Sequence, residues 1–192
     1  MTAPRCTPQQ WAWEMLRPNR AVVFDCETCD LDTAILEVAV IDAATGAVLL
    51  DTLVDPGDVS IHPAAAAVHG IDTDQLVGAP MWPDVVPDLM AVTRGRQILA
   101  YNARFDSSRV LYDCHRYGLD PAHLAHPHTW GCVMRARSQA EGIEDNIRLG
   151  GAHRARGDAE AARAVLQAIA DGHSVASPLR PTTAPDLAGR AP

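Results

Sequence analysis

The 192-residue sequence predicts an α/β domain with a mixed five-stranded sheet flanked by helices. Three observations carry this. Strand-like apolar runs follow one another over residues 21–54 with turn signals between them; after residue 97, strand alternates with helix. The length suits one domain with a substantial core and is too short for two.

Taken in order, residues 8–16 read as a short amphipathic helix, with Thr7 as cap, Pro8 at the first position and Trp11 and Met15 on one stripe. Pro18 ends it, and residues 1–19 are set apart as an N-terminal helical extension. The runs Ala21–Asp25, Ile35–Asp42 and Ala47–Val54 form a meander, with turns at Cys29–Thr33 and Ala44-Thr45-Gly46. Residues 62–90 are rich in Ala, Pro and Asp, with short helical stretches. Ile98–Tyr101 is a fourth strand, Ser107–Tyr117 a helix and Thr129–Met134 a fifth strand. Asp158–Ala170 is a closing helix whose apolar face is Ala161, Val165, Leu166 and Ile169. The main domain therefore spans 20–172. Residues 173–192 turn to Ser, Pro, Thr and Ala without an aromatic, a composition that cannot bury a core and is expected to be disordered.

Composition narrows the function classes. No stretch approaches a membrane span and no basic-then-apolar leader opens the chain, so a cytoplasmic protein with no membrane partner is expected. Five cysteines at irregular positions do not make a disulfide framework. The pair Cys26-x-x-Cys29 has the spacing of half a zinc site or a redox pair, but no second pair accompanies it. His115, His123, His126 and His128 with Cys114 and Cys132 form no ligand spacing. Cys26 is expected to pack behind its strand, opposite the neighbouring acids.

The net charge of −8 divides unevenly. Residues 1–90 hold 3 Arg against 14 acids, a net of −11, whereas residues 91–192 hold 13 Arg against 10 acids, a net of +3. Every basic residue is Arg. Arg104, Arg109, Arg135, Arg137, Arg148, Arg154 and Arg156 cluster in sequence in the basic half, and Arg suits bidentate contact with phosphate.

Three acidic elements stand out. The strand Val22-Val23-Phe24-Asp25-Cys26-Glu27-Thr28 places Asp25 and Glu27 on one face, about 6–7 Å apart along the chain. Two carboxylates held that close repel, and a divalent cation between them is the simplest remedy. Ile98–Tyr101 runs through Asn102 into a helix whose first turn carries Asp106, where the helix dipole favours a carboxylate. Finally, a Gly150-Gly151 loop carries His153 ahead of a helix that opens near Asp158. Each element alone also reads as an ordinary solvated acid.

Together, Asp25-Cys26-Glu27-Thr28, Asn102-Ala103-Arg104-Phe105-Asp106 and His153 with Asp158 resemble the three motifs of the DEDDh, or DnaQ-like, 3′–5′ exonucleases. Val68-His69-Gly70-Ile71 resembles that family's His-Gly-Ile segment. The likeness covers roughly residues 20–170 and implies a ribonuclease-H-like fold. One departure is Thr28-Cys29-Asp30-Leu31 where the family reads Thr-Thr-Gly-Leu; Asp30 is expected to tolerate a left-handed turn there.

The resemblance implies a two-metal exonuclease, with Mg²⁺ or Mn²⁺, releasing nucleoside monophosphates from the 3′ end of single-stranded DNA or RNA. It implies that Asp25 bridges both ions, that Glu27 and Asp158 complete the first site, and that Asp106 serves the second. His153 would be the general base, a role suited to imidazole. Thr28, Leu31, His69 and Asn102 are implied substrate contacts, while Phe105 is expected in the core. The competing readings are a catalytically silent nucleic-acid-binding domain of the same fold and a zinc or redox module on Cys26 and Cys29. A homodimer and a polymerase-associated subunit both remain open at this level.

Overall fold

A computed structural model describes residues 6–151 and 153–173. The expected disordered tail lies, from residue 174 onward, outside the described residues. Five strands form one sheet in the order β3-β2-β1-β4-β5, where β1 is Ala21–Thr28, β2 Ile35–Asp42, β3 Val48–Leu53, β4 Gln97–Ala100 and β5 Trp130–Cys132. The first three strands pair antiparallel, whereas β1 with β4 and β4 with β5 pair parallel, so the sheet is mixed as expected. The helices are α1 (Pro8–Met15), α2 (Pro63–His69), α3 (Trp82–Thr93), α4 (Ala103–Arg116), α5 (Val133–Glu141) and α6 (Ala155–Ala170).

Alternation along β1 divides the core into two layers. Ala21 and Val23 join the layer under α1, α5 and α6, while Val22, Phe24 and Cys26 join the layer under α3 and α4. With both faces covered, β2 is buried nearly throughout, and its apolar run is interrupted at Glu37. In the second layer Phe24 meets Trp130 edge-on at 5.5 Å, and Trp82 Nε1 donates to Cys114 Sγ.

The N-terminus of α1 is closed by a reciprocal capping box: Thr7 Oγ1 accepts from the Gln10 amide, and the Gln10 side chain accepts from the Thr7 amide. Ala12 and Met15 are then buried against Val165, Leu166 and Ile169 of α6. The segment set apart as an extension thus shares the main core.

Strand β1 runs beyond Asp25 to Thr28, as the reading of Val22–Thr28 as one strand expected, so Asp25 and Glu27 are paired strand residues opposite Ala39 and Glu37. Several boundaries differ from the sequence reading. Strand β5 is only three residues long, and the chain passes directly into α5 where the strand was expected to continue to Met134. Helix α5 was hidden because its buried face, Val133, Ala136, Arg137 and Ser138, carries little apolar signal. Helix α6 begins at Ala155, which places Asp158 in its first turn, and its buried face uses Ala159 and Ala162 in place of Ala161.

This topology makes the site. Pairing of β1 with β4 ends at Val23 and Leu99, after which β4 gives way to α4. The last residues of β1 therefore border a crevice at the carboxyl ends of two parallel strands, the usual place for a ligand in such sheets.

Candidate active site

Strand β1 and the first turn of α6 bring Asp25, Glu27 and Asp158 together. One carboxylate oxygen from each lies within 4.8 Å of the others, although Asp158 is 133 residues from Asp25 in the chain. Burial first, then the negative fields of Asp106, Asp158, Glu27 and Glu37, holds the Asp25 carboxyl well above the usual range. Glu27 is pushed up to about 8 by burial and by Asp158, Glu37 and Asp106, with the Arg154 cation opposing. Such a crowded set of hard oxygen donors fits a divalent cation, which would relieve the repulsion.

Asp106 is not one of that trio, although its charge acts on Asp25. It is buried in the first turn of α4, and Cys26 Sγ donates to its Oδ1 at 3.5 Å. Burial raises Asp106 to about 7, against the hydrogen bond from Cys26 and the backbone. Cys26 does point away from Asp25 and Glu27 into the other layer, but it is not clear of the acids, because the fourth acid reaches it from α4. Cys29 lies in a different cluster and its thiol meets the Val59 carbonyl, so the two cysteines do not act as a pair. His123 bonds Thr93, and His126 stacks on His128.

A cavity of about 320 Å³ opens beside the acids. Its walls include Glu27, Thr28, Asp30, Leu31, His69 and Phe105. Leu31 is 79% exposed at its edge, whereas Thr28 and His69 are buried. Gly70, at φ 69°, ends α2 directly after His69 and lets the Ile71 amide return to His69 Nδ1 at 3.0 Å. That bond leaves the proton on Nε2, which is buried and turned towards the Thr28 backbone. Burial lowers the His69 pKa, against the Thr28 backbone and Glu37.

The remaining expectations divide. Phe105 packs on the second layer but also forms cavity wall, so it is not simply core. Asn102 precedes α4, exposed, and its side chain makes no capping bond; it lies outside the cavity lining. Asp30 does not adopt the expected left-handed conformation, since among the described non-glycine residues only Asn19, Ala122 and His153 have positive φ. Its carboxylate instead accepts from the Leu31 amide, stabilising the turn with ordinary backbone angles. His153 is exposed on the loop before α6, with φ 54°.

Of the arginines singled out in the sequence, four are engaged within the fold: Arg109 on the Thr33 carbonyl, Arg156 with Glu160, and Arg137 and Arg154. Arg137, 1% exposed, bonds Tyr101, Glu141 and the Arg148 carbonyl, and Arg154 is held by Glu37. Arg104, Arg135 and Arg148 are exposed. Two functional neighbours escaped the sequence reading. Glu37 faces Glu27 across the sheet, and a lone acid within Ile35–Asp42 was the available signal. At Gly151 a side chain would overlap Asp158, since a Cβ there would lie 1.8 Å from Oδ1.

The chain is similar to known proteins over most of its length. The exonuclease family model of RNase T type matches residues 22–166. An uncharacterized exonuclease, CP81, of Escherichia phage 186 is 32% identical over 122 residues, covering 62% of this chain and 61% of its own. Exodeoxyribonuclease 10 of Escherichia coli is 32% identical over 125 residues, covering 64% and 49%. The chain thus spans about half to three-fifths of the length of these relatives. The solved structure of Exonuclease X in complex with 5′ overhanging duplex DNA superposes with a TM-score of 0.54 at 24% identity, covering 82% of this chain and 95% of that one. At that identity the superposition speaks for the fold.

Proposed function

Because the chain belongs to the RNase T-type exonuclease family, we propose that it is a metal-dependent 3′–5′ exonuclease releasing nucleoside monophosphates from single-stranded ends of DNA or RNA. The observation that carries this is the convergence of Asp25, Glu27 and Asp158 beside a cavity of small-ligand size. These three residues would hold a divalent cation, Mg²⁺ or Mn²⁺, with Asp106 behind them available to a second. When bound, such ions acidify water and stabilise the charge that develops at the phosphodiester.

The chain's own groups supply the rest. His153, exposed on the loop before α6, takes the proton from the attacking water. The His69 Nε2–H offers a donor inside the cavity, Thr28 and Leu31 contact the terminal nucleotide, and Asn102 contacts the strand at the start of α4. The exposed Arg104, Arg135 and Arg148 are available to phosphates. A silent binding domain would have no need of carboxylates crowded enough to shift their own ionisation. The name of the Escherichia coli relative favours DNA, and contacts to the 2′-OH decide between DNA and RNA.

The test is product analysis on 5′-labelled single-stranded DNA and RNA of matched sequence. Wild-type protein should shorten at least one of them from the 3′ end with Mg²⁺ or Mn²⁺ and not with EDTA, and Asp25→Ala should abolish this. Wild-type rates from purified Asp25→Ala protein would refute the assignment.

A further inference from the structure

Glu37 lies in the middle of β2, directly opposite Glu27 and only 5% exposed. A buried carboxylate is costly unless its acceptor positions are filled. Here they are filled by one short segment from the far end of the domain. Arg154 Nε donates to both oxygens at 3.1 and 3.0 Å, Arg154 Nη2 adds a further bond, and the Ala155 amide donates to Oε2 at 2.8 Å. Ala155 is the first residue of α6, so its amide is one of the donors a helix leaves unpaired at its start. The side chain of Glu37 therefore caps α6 from another element and also grips the residue before it.

His153 immediately precedes this clamp. Its φ of 54° places an L-residue in the left-handed region, which is sterically disfavoured. Among the described residues, its imidazole has no hydrogen bond that would hold it. On the near side of His153, the Gly151 backbone lies against the Asp158 carboxylate; on the far side, Arg154 is extended at φ −135° and locked to Glu37. The ring can therefore be aimed only through its backbone.

We propose that Glu37 is a positioning residue: by gripping Arg154 and the Ala155 amide it fixes the backbone that carries His153 into α6. The proposal rests on the exonuclease reading for His153 as proton acceptor. It separates two functions of one loop, since Asp158 binds from within the helix whereas His153 depends on the clamp.

The test uses full-length Glu37→Gln, which keeps shape and loses charge, and Arg154→Gln, whose side chain is 43% exposed and so leaves the core intact. Each is made alone and with His153→Ala. Each single variant should lower kcat roughly tenfold to hundredfold, the scale of a misplaced catalytic group. KM should stay within about twofold, because no substrate contact is removed, and the half-saturating Mn²⁺ concentration should move far less than kcat, because the charges changed act on Glu27 only from a distance. In the His153→Ala background neither substitution should reduce the rate further. Hydrogen exchange on metal-free protein should show residues 153–156 exchanging about tenfold faster in both variants, with β1 and β4 unchanged. Additive loss in the His153→Ala background, Mn²⁺ binding weakened as far as kcat falls, or unchanged exchange would overturn the proposal. An inactive wild-type enzyme would instead overturn the exonuclease reading, while the exchange measurement would still decide whether Glu37 orders the segment.

Discussion

The carboxylate cluster should make the metal-free protein less stable than it would be without Glu27. Glu27 is raised from 4.5 to about 8. Between those values the folded protein keeps a proton that the unfolded chain releases, so stability falls as pH rises through the window. The full shift corresponds at pH 8 to about 4 kcal/mol. Partial exposure of Glu27 screens the repulsion, and about 2 kcal/mol is a sounder expectation. Glu27→Gln removes the titrating group. In EDTA it should match wild type near pH 4 and exceed it by about 2 kcal/mol at pH 8, a Tm increase of about 4–8 °C for a domain of this size. Mn²⁺ should raise the wild-type Tm and raise that of the variant less, because one ligand has gone. Thermal melts followed by circular dichroism at both pH values, with EDTA and with Mn²⁺, measure this. A variant no more stable than wild type at pH 8 in EDTA, or a gain that does not change with pH, would refute the reasoning.

Three further outcomes follow from the site. Gly151→Ala puts a Cβ where Asp158 Oδ1 lies, so calorimetric titration should show Mn²⁺ binding weakened by about tenfold or more while the far-ultraviolet spectrum is retained. His153→Ala should cut turnover by about 10²–10⁴, measured under single-turnover conditions, and leave the Mn²⁺ requirement within about twofold. Leu31→Ser removes an apolar contact at the cavity edge from a residue already 79% exposed, so stability should change by less than about 0.5 kcal/mol. Its KM for oligonucleotide should rise roughly fivefold at unchanged kcat, the equivalent of about 1 kcal/mol of lost contact.

Much of the candidate site was legible because its residue types are unusual where they stand. Asp25 and Glu27 interrupt an apolar run, and Asp106 and Asp158 each fall one turn into a helix. The strands were legible for the same reason, since Val22–Phe24, Ile35–Ile41 and Ile98–Ala100 are nearly continuous apolar runs of a sheet covered on both faces. Helix α5 was not, because Arg137 and Ser138 occupy half of its buried face, and a polar group satisfied by tertiary hydrogen bonds carries no periodic apolar signal. The turn at Asp30 was misread because its side-chain bond to the Leu31 amide supplies what a left-handed backbone was expected to supply.

By itself the sequence determined most of the elements and which acids belong to β1, α4 and α6, because strand alternation and helix starts are local properties of the chain. Only the tertiary structure decided how those acids are shared out. Asp25, Glu27 and Asp158 meet through the packing of α6 on the sheet, Asp106 is drawn back onto Cys26, and Glu37 is neutralised by Arg154 from 117 residues away. Such pairings depend on which surfaces come into contact when the two core layers close. A carboxylate's charge, reach and burial are properties of that contact, and none of them is written in its neighbours along the chain.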